Sequence, residues 1–503
     1  LPAMNEFWSY PLLSLLIAFP LGGAILCGFG RHSAKLCRWL ALLTSSTVLA
    51  LACSLCGLPA RAGWLLREDF AWIETLGIRF TLGLDGVSLL MVLLTALLMA
   101  VAVLVSWQAV REKAAFYFSL LLILEAGLMG VFLALDMFLF YVFWETMLIP
   151  AVILILIWGA EGSLRAVFKF VLFTIGGSLL MLLSIIALYV LHAEQTGSFS
   201  FALDALRQTR LSGSMGLWIY LGFLLAFGVK IPLVPLHAWL PDTYCKAPTA
   251  ITLLLAGVLA KTGLYGLYRF AFQLCPEAAA KSMPWLAVAA LVSVFYAAWI
   301  AFAQSDIKRL LAYSSVSHLG LIAFGLSVSS RTALEGSFLQ MFSHGITLGA
   351  LFALTAMIEQ RSGDTQMENL GGLWGRAPLW SFFFLVAALS ALGLPGLNNF
   401  IGEILILAGA FKSHPWLGAV AVPSILLAAV YMLRLVRGVL WGKSPAGLVW
   451  TDANRRELVI LVPFLVLMVW VGCFPQVFLD PLRDVAGLPF FEGVAALKGG
   501  LLP

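Results

Sequence analysis

The sequence predicts an all-α polytopic membrane protein with fourteen transmembrane helices, and three observations carry that reading. Charged residues make up only 11% of the chain and hydrophobic residues 62%, where a soluble domain carries about 25% charged residues. Mean hydropathy is +1.00. Apolar runs long enough to cross a bilayer recur between charged or Pro/Gly-rich breaks. The net charge of +5 comes mostly from Lys and Arg in the connections. It reads as an orientation signal rather than a nucleic-acid footprint.

The expected spans are 9–29, 36–58, 86–108, 115–134, 137–159, 166–192, 216–239, 248–272, 284–304, 310–328, 333–358, 378–411, 416–441 and 457–479. The first has spanning length and no processing site after it, so it is expected to be retained rather than cleaved as a signal peptide. Leu1 ahead of Met4 leaves the start codon open. Between the second and third spans, apolar and polar residues alternate from Asp69 to Leu82 about Gly77, which predicts a short extramembrane β-hairpin. The stretch 198–214, with Leu203, Leu206 and Leu211 among Asp204, Arg207 and Arg210, is expected to be an interfacial linker. The seven cysteines are scattered. Cys53 and Cys56 form a CxxC on an apolar helix with no second pair or histidine nearby, so they read as small apolar fillers.

Lys and Arg set the expected orientation. Odd-numbered connections carry Arg31, Lys35 and Arg38, then Arg111 and Lys113, Arg165 and Lys169, Lys246, Lys308 and Arg309, Arg361 and Arg376, and finally Arg437, Lys443, Arg455 and Arg456. Even-numbered ones carry fewer: Arg61, Arg67 and Arg79, then Arg207 and Arg210, Lys281, Arg331 and Lys412. Odd connections are therefore expected on the cytoplasmic side and both termini outside.

The functional expectation starts at Lys230, a cation in a hydrophobic helix that KIPLVPLHAWLPD then breaks with three prolines. A charge at that depth costs about 2.5–3.5 kcal/mol on insertion scales and faces a wet or protein-lined interior. Each proline removes a backbone donor, and the freed carbonyls are tolerated only against protein or water. The seventh span breaks here and the twelfth at Gly393-Leu-Pro-Gly, each after four helices of its own half. Interrupted helices at corresponding positions point to an inverted transporter-type repeat with a site at the break.

Other polar residues join this feature. Glu145, isolated in an apolar span, is expected to pair with Lys230, each holding the other in its charged form. The bland alternative is a structural ion pair. Lys261 lies too deep in its span to reach the interface. His237, His318 and His344 fall on broken or Ser-rich helices and read as a proton relay, since imidazole both donates and accepts near neutral pH. Packing histidines are the alternative. Metal ligation is disfavoured because no pair has helical ligand spacing. Glu403 follows the second break and closes the series. Arg165 and Lys169 are expected to anchor an interface, Asp136 to N-cap the fifth span, and Asp242 to cap the turn after the seventh.

FYVFWETMLIP, KIPLVPLHAWLPDTYCKAPTA, LLAGVLAKTGLYGLYRF, DIKRLLAYSSVSHLGLI and LPGLNNFIGE resemble the antiporter-like subunits of respiratory complex I. Those subunits are in turn similar to subunits of Mrp-type antiporters and membrane-bound hydrogenases. The motifs run in order along essentially the whole chain. The length and the ETMLIP and AYSSVSHLG variants resemble the M-type subunit, the counterpart of mitochondrial chain 4. The resemblance implies two inverted five-helix repeats, helices 4–8 and 9–13. The expected division is therefore 1–114, 115–272, 273–441 and 442–503. It implies Glu145 and Lys230 as the key pair, Lys261 as central proton carrier, Glu403 as exit group, and His237, His318 and His344 as connectors. Tyr244, Cys245 and Lys246 depart from the residues common in that loop. The implied protein is a proton-translocating membrane-arm subunit of an NADH:quinone oxidoreductase in a bacterial inner or equivalent membrane. It touches lipid and neighbouring antiporter-like subunits, and no nucleic acid. No cofactor or metal is expected on this chain; flavin, iron–sulfur clusters and quinone would sit on partner subunits. An Mrp-type sodium/proton antiporter subunit and a structural scaffold are the rival readings.

Overall fold

A computed structural model describes residues 11–58, 63–211, 213–442 and 450–486. The expectations on Leu1, Met4, Arg61, Lys443 and the tail beyond 486 lie outside those residues. Among the described residues, thirteen helices are long and apolar enough to cross a membrane. They are α1 (Leu12–Phe29), α2 (Ala34–Ser54), α3 (Gly86–Ala109), α4 (Ala114–Leu133), α5 (Met137–Trp158), α6 (Ser163–Thr196), α7a (Gly213–Lys230), α8 (Thr249–Leu274), α9 (Pro276–Ala303), α10 (Ile307–Ser327), α11 (Arg331–Ser362), α13 (Pro415–Leu440) and α14 (Arg455–Cys473). The stretch expected as the twelfth span is divided into α12a (Pro378–Ala391) and α12b (Asn398–Ser413). A short α7b (Leu240–Lys246) follows the break after α7a, and α15 (Gln476–Ala486) follows α14.

α9 begins at Pro276, eight residues before the expected start. Proline is well placed at a first helical position, where its missing donor would be unbonded anyway, and Pro284 is accommodated inside the same helix. The hairpin forms as read: β1 (Leu66–Ile73) pairs antiparallel with β2 (Ile78–Leu84), turning at Gly77 with φ 66°. Partial burial works against the Asp69 carboxylate, but hydrogen bonds from Arg79 (2.8 Å) and Thr81 (2.7 Å) outweigh it and hold its pKa below the ordinary value. The 198–214 stretch is more than a linker. Its backbone bonds to Leu135 and Met137, and Asp204 pairs with Arg67 at 2.7 Å, so it clamps the hairpin onto the start of α5. Asp136 caps α5 as expected, accepting from the N–H groups of Phe138 and Leu139.

The core is built on α3, α8 and α11, which pack on one another. α8 and α11 are buried throughout their most apolar windows, whereas α2 and α6 present Leu43, Leu164 and Phe168 outward, as lipid-facing helices do. α8 carries two π-helical turns, Leu255–Leu259 and Leu267–Ala271. It is tied to α3 by a buried ion pair the sequence did not reveal, between Arg269 and Asp85, the residue that also N-caps α3. Tyr265 extends the tie by sharing a hydrogen bond with Ser88 (3.0 Å) and donating to the Phe132 carbonyl of α4 (2.9 Å).

Removing one partner of a buried pair leaves the other charge uncompensated and costs about 3–5 kcal/mol. Arg269→Met is therefore expected to lower thermal stability and the yield of assembled complex. Asp85→Asn/Arg269→Gln together should recover much of the loss, as read by thermal unfolding in detergent.

Candidate functional site

The chain turns sharply after Lys230, and protein groups seal the opened backbone. The Trp239 indole donates to the Val229 carbonyl at 2.9 Å, the Leu233 N–H returns to Gly228, and the Val234 N–H donates to Ser293 of α9 at 2.9 Å. This is how irregular backbone is tolerated at membrane depth. Lys230 is buried, with its ammonium 5.2 Å from the Trp144 ring centre and 5.7 Å from that of Phe170. Such faces attract a desolvated cation.

The expected Glu145–Lys230 ion pair is not closed in this structure. Neither Lys230 Nζ nor Glu145 Oε1 has a hydrogen-bond partner. The ammonium rests on the rings of Trp144 and Phe170 instead, and Glu145 is still near enough for its charge to act on it. Trp144, the sequence neighbour of Glu145, supplies one of the two faces on which the ammonium rests.

Two glycines bring the helices of the site together. A Cβ on Gly263 would lie 2.9 Å from the Lys230 Cβ and 2.8 Å from the Phe227 carbonyl oxygen, so its absence lets α8 lie against α7a at Lys230. A Cβ on Gly345 would lie 2.8 Å from the Gly257 carbonyl oxygen. α11 therefore touches α8 one residue after His344 and four residues before Lys261. Lys261 is fully buried and donates to the carbonyl of Ala256, within the first π turn. Such turns are frequent at functional sites.

His344 is buried with both ring nitrogens unpartnered, lies within electrostatic reach of Lys261, and has its ring centre 5.3 Å from that of His318. His318 Nδ1 is 3.3 Å from Glu403 Oε1, and its Nε2 is 3.2 Å from the Tyr431 hydroxyl. Glu403 also accepts from Gln340 Nε2 at 3.2 Å. The α12 break is held to α11 by Asn398, which accepts from Ser390 (2.5 Å) and donates to the Ser343 carbonyl (2.8 Å), while Thr347 and Ser390 share a hydrogen bond (2.7 Å).

The structure thus brings Lys261, His344, His318 and Glu403 into one buried series, with Lys230 across the α7a–α8 contact. His237 stands apart from them, its ring against Tyr296 and Tyr313 at 5.2 and 6.4 Å. Asp242 pairs with Lys169 (2.5 Å) and Arg309 (3.4 Å) and makes no side-chain cap bond at α7b, which corrects its reading as a turn cap. Sequence reasoning missed Gln340, Tyr431 and the fully buried, unpartnered Glu125 of α4. Gln340 had a signal, being one turn from His344 on the same helix face. Among the described residues, no group of three or more His, Cys, Asp or Glu could hold a metal ion.

Residues 134–428 match the family model described as NADH:quinone oxidoreductase/Mrp antiporter, transmembrane. The chain belongs to this family. NADH-quinone oxidoreductase subunit M of Pseudomonas aeruginosa is 41% identical over 485 residues, covering 93% of this chain and 95% of the relative. A chain of respiratory complex I from Thermus thermophilus with bound NADH superposes with a TM-score of 0.87 at 33% identity, covering 96% of this chain and 99% of that one. A chain of the Mrp complex from Dietzia sp. DQ12-45-1b superposes with a TM-score of 0.82 at 20% identity, covering 97% of this chain and 55% of that one. That last likeness concerns the fold. Within the family the resemblance lies with subunit M, and the chain is an integral membrane protein.

The hydrogen bonds around Asn398 generate a test of the break. Asn398→Leu would remove the side-chain donor to the Ser343 carbonyl and leave Ser390 with Thr347 alone, at about 1–3 kcal/mol for a buried group left unpaired. Faster amide exchange confined to 390–403 and its α11 neighbours is the expected result.

Proposed function

We propose that this chain is a proton-translocating membrane-arm subunit of an NADH:quinone oxidoreductase, and that it carries no redox centre itself. The observation that carries the reading is the buried series Lys261–His344–His318–Glu403 beside an open Glu145–Lys230 pair. A scaffold would gain nothing from charges this deep without a compensating partner, since each is expensive unless used. The subunit M relatives favour quinone-linked pumping over sodium/proton exchange.

In this reading, charge displacement in a neighbouring subunit opens and closes the Glu145–Lys230 pair. With Glu145 close, the ammonium of Lys230 is stabilised. With Glu145 withdrawn, its positive charge is free to repel a proton on Lys261 across the Gly263 contact. Lys261 passes its proton to a free ring nitrogen of His344, with water as carrier over any gap. His318 relays it to Glu403, where Gln340 and Tyr431 steady the acceptors. Glu403 then releases it outward. Moving one proton against 100 mV takes about 2.3 kcal/mol, comparable to the cost of one buried charge losing a partner.

The rest of the sequence reading belongs to this proposal. The odd connections face the cytoplasm and both termini lie outside, in a bacterial inner or equivalent membrane. Residues 115–272 and 273–441 form inverted repeats, a view supported by the corresponding close packing of α4 on α5 and of α9 on α10 and by the breaks in α7 and α12. His237 is assigned to the surroundings of the α7 break, with a connecting role through Tyr313.

Glu145→Ala and Lys230→Ala are expected to leave assembly intact and to lower protons pumped per NADH oxidised. Proton-to-electron ratios measured in proteoliposomes check this, and parental ratios in fully assembled variants would contradict it.

A further inference from the structure

The series described so far has an acceptor end at Glu403 but no supply for Lys261. A cavity of about 580 Å³ between α7a and α9 is lined mainly by Leu, Ala and Trp285, with Lys281 and Ser282 as its polar residues, and neither of these leads toward Lys261. A second cavity, of about 320 Å³, lies where the ends of α3, α5 and α11 meet the starts of α4 and α8. Its wall is largely Val, Ala, Pro and Trp158, but Ser106, Tyr117, Thr249, Glu359 and Gln360 bring polar groups into it. Glu359 accepts from Thr249 and from Lys308 (2.8 Å), and Tyr117 and Ser106 share a hydrogen bond of 2.8 Å.

α4 and α8 both start at this cavity, through Tyr117 and Thr249. They are tied again at the bond from Tyr265 to Phe132, fifteen residues along α4 and sixteen along α8. The two helices therefore run side by side away from the cavity. Glu125 lies eight residues beyond Tyr117, on the same face of α4, at a depth of about 12 Å at 1.5 Å per residue. Lys261 lies twelve residues beyond Thr249, at about 18 Å. Glu125 thus sits between the cavity and Lys261 in depth. It is wholly buried and neither carboxyl oxygen has a hydrogen-bond partner. A carboxyl group so placed costs stability unless used, and its position inside α4 is not one that caps a helix end.

We propose that Glu125 loads Lys261, taking protons that enter at the Tyr117–Glu359 cavity. This rests on the translocation reading above and adds the uptake side to it. A proton carried in on water past Tyr117, as hydronium, passes to a Glu125 carboxylate oxygen and leaves neutral water behind. The O–H bond then breaks as an N–H bond forms on the neutral amine of Lys261, with water bridging the remaining distance, and the carboxylate is restored.

The test uses the assembled complex in proteoliposomes. Glu125→Gln is expected to lower protons pumped per NADH oxidised at least twofold and to abolish a carboxylic-acid C=O band in the turnover infrared difference spectrum. Glu125→Asp should restore both in part. If Glu125→Gln does not assemble, Glu125→Asp carries the test, with its own shifted C=O band and a reduced ratio. Parental stoichiometry and an unchanged band in either variant would overturn the proposal. Loss of pumping in Lys261→Ala alongside normal pumping in Glu125→Gln would overturn the loading role and leave the translocation reading standing.

Discussion

A charge at the middle of a bilayer needs something in place of water, and the buried titratable groups here are compensated to very different degrees. Arg269 and Asp85 receive each other, with Tyr265 beside them. Lys230 receives only aromatic faces, Lys261 a single carbonyl, and Glu403 a histidine and an amide. His344 and Glu125 receive no partner at all. A fully compensated pair is fixed in one protonation state and serves packing. A half-compensated group sits where a small movement of a neighbour changes whether it holds a proton. On the proposed reading, the contrast between the Arg269 pair and the Lys261 series separates structural charge from working charge within one helix, α8.

The backbone is arranged around the same constraint. Prolines end α7a directly after Lys230, and the opened carbonyls are closed by Trp239 and backbone donors rather than left to lipid. The α12 turn places Gly393 against Glu403, where a Cβ would come within 2.6 Å of Oε2. At φ 77° that position favours glycine on conformational grounds as well. Gly263 and Gly345 set the interhelical distances that let Lys230, Lys261 and His344 approach. The series therefore depends on residues that carry no charge.

Much of this was legible in the sequence because the bilayer imposes a simple code. Apolar run lengths give the spans, the alternation about Gly77 gives the hairpin, and a lysine or glutamate that lies near a break, a proline or a second polar residue announces itself by its cost. Partnership was harder to read. Glu145 and Lys230 were the natural pair by charge, but whether they touch depends on how their side chains are placed, which no periodicity reports. Asp242 reads as a cap from LPD alone, yet the fold brings Lys169 and Arg309 to it from two other helices. Glu125 was passed over because its run, LLLILEAGLMG, contains no break, proline or second polar residue to mark it. Tyr431 was invisible for the same reason: an aromatic in an apolar helix looks like core until His318 is found beside it.

The central claim is that Lys261 passes protons through His344 and His318 to Glu403 and is more than a packing element of α8. The most direct measurement is the proton-to-electron ratio of the assembled complex carrying Lys261→Ala, with complex yield measured on the same preparation. The account predicts a lowered ratio at near-parental yield. A parental ratio with reduced yield would contradict it and leave Lys261 a structural residue.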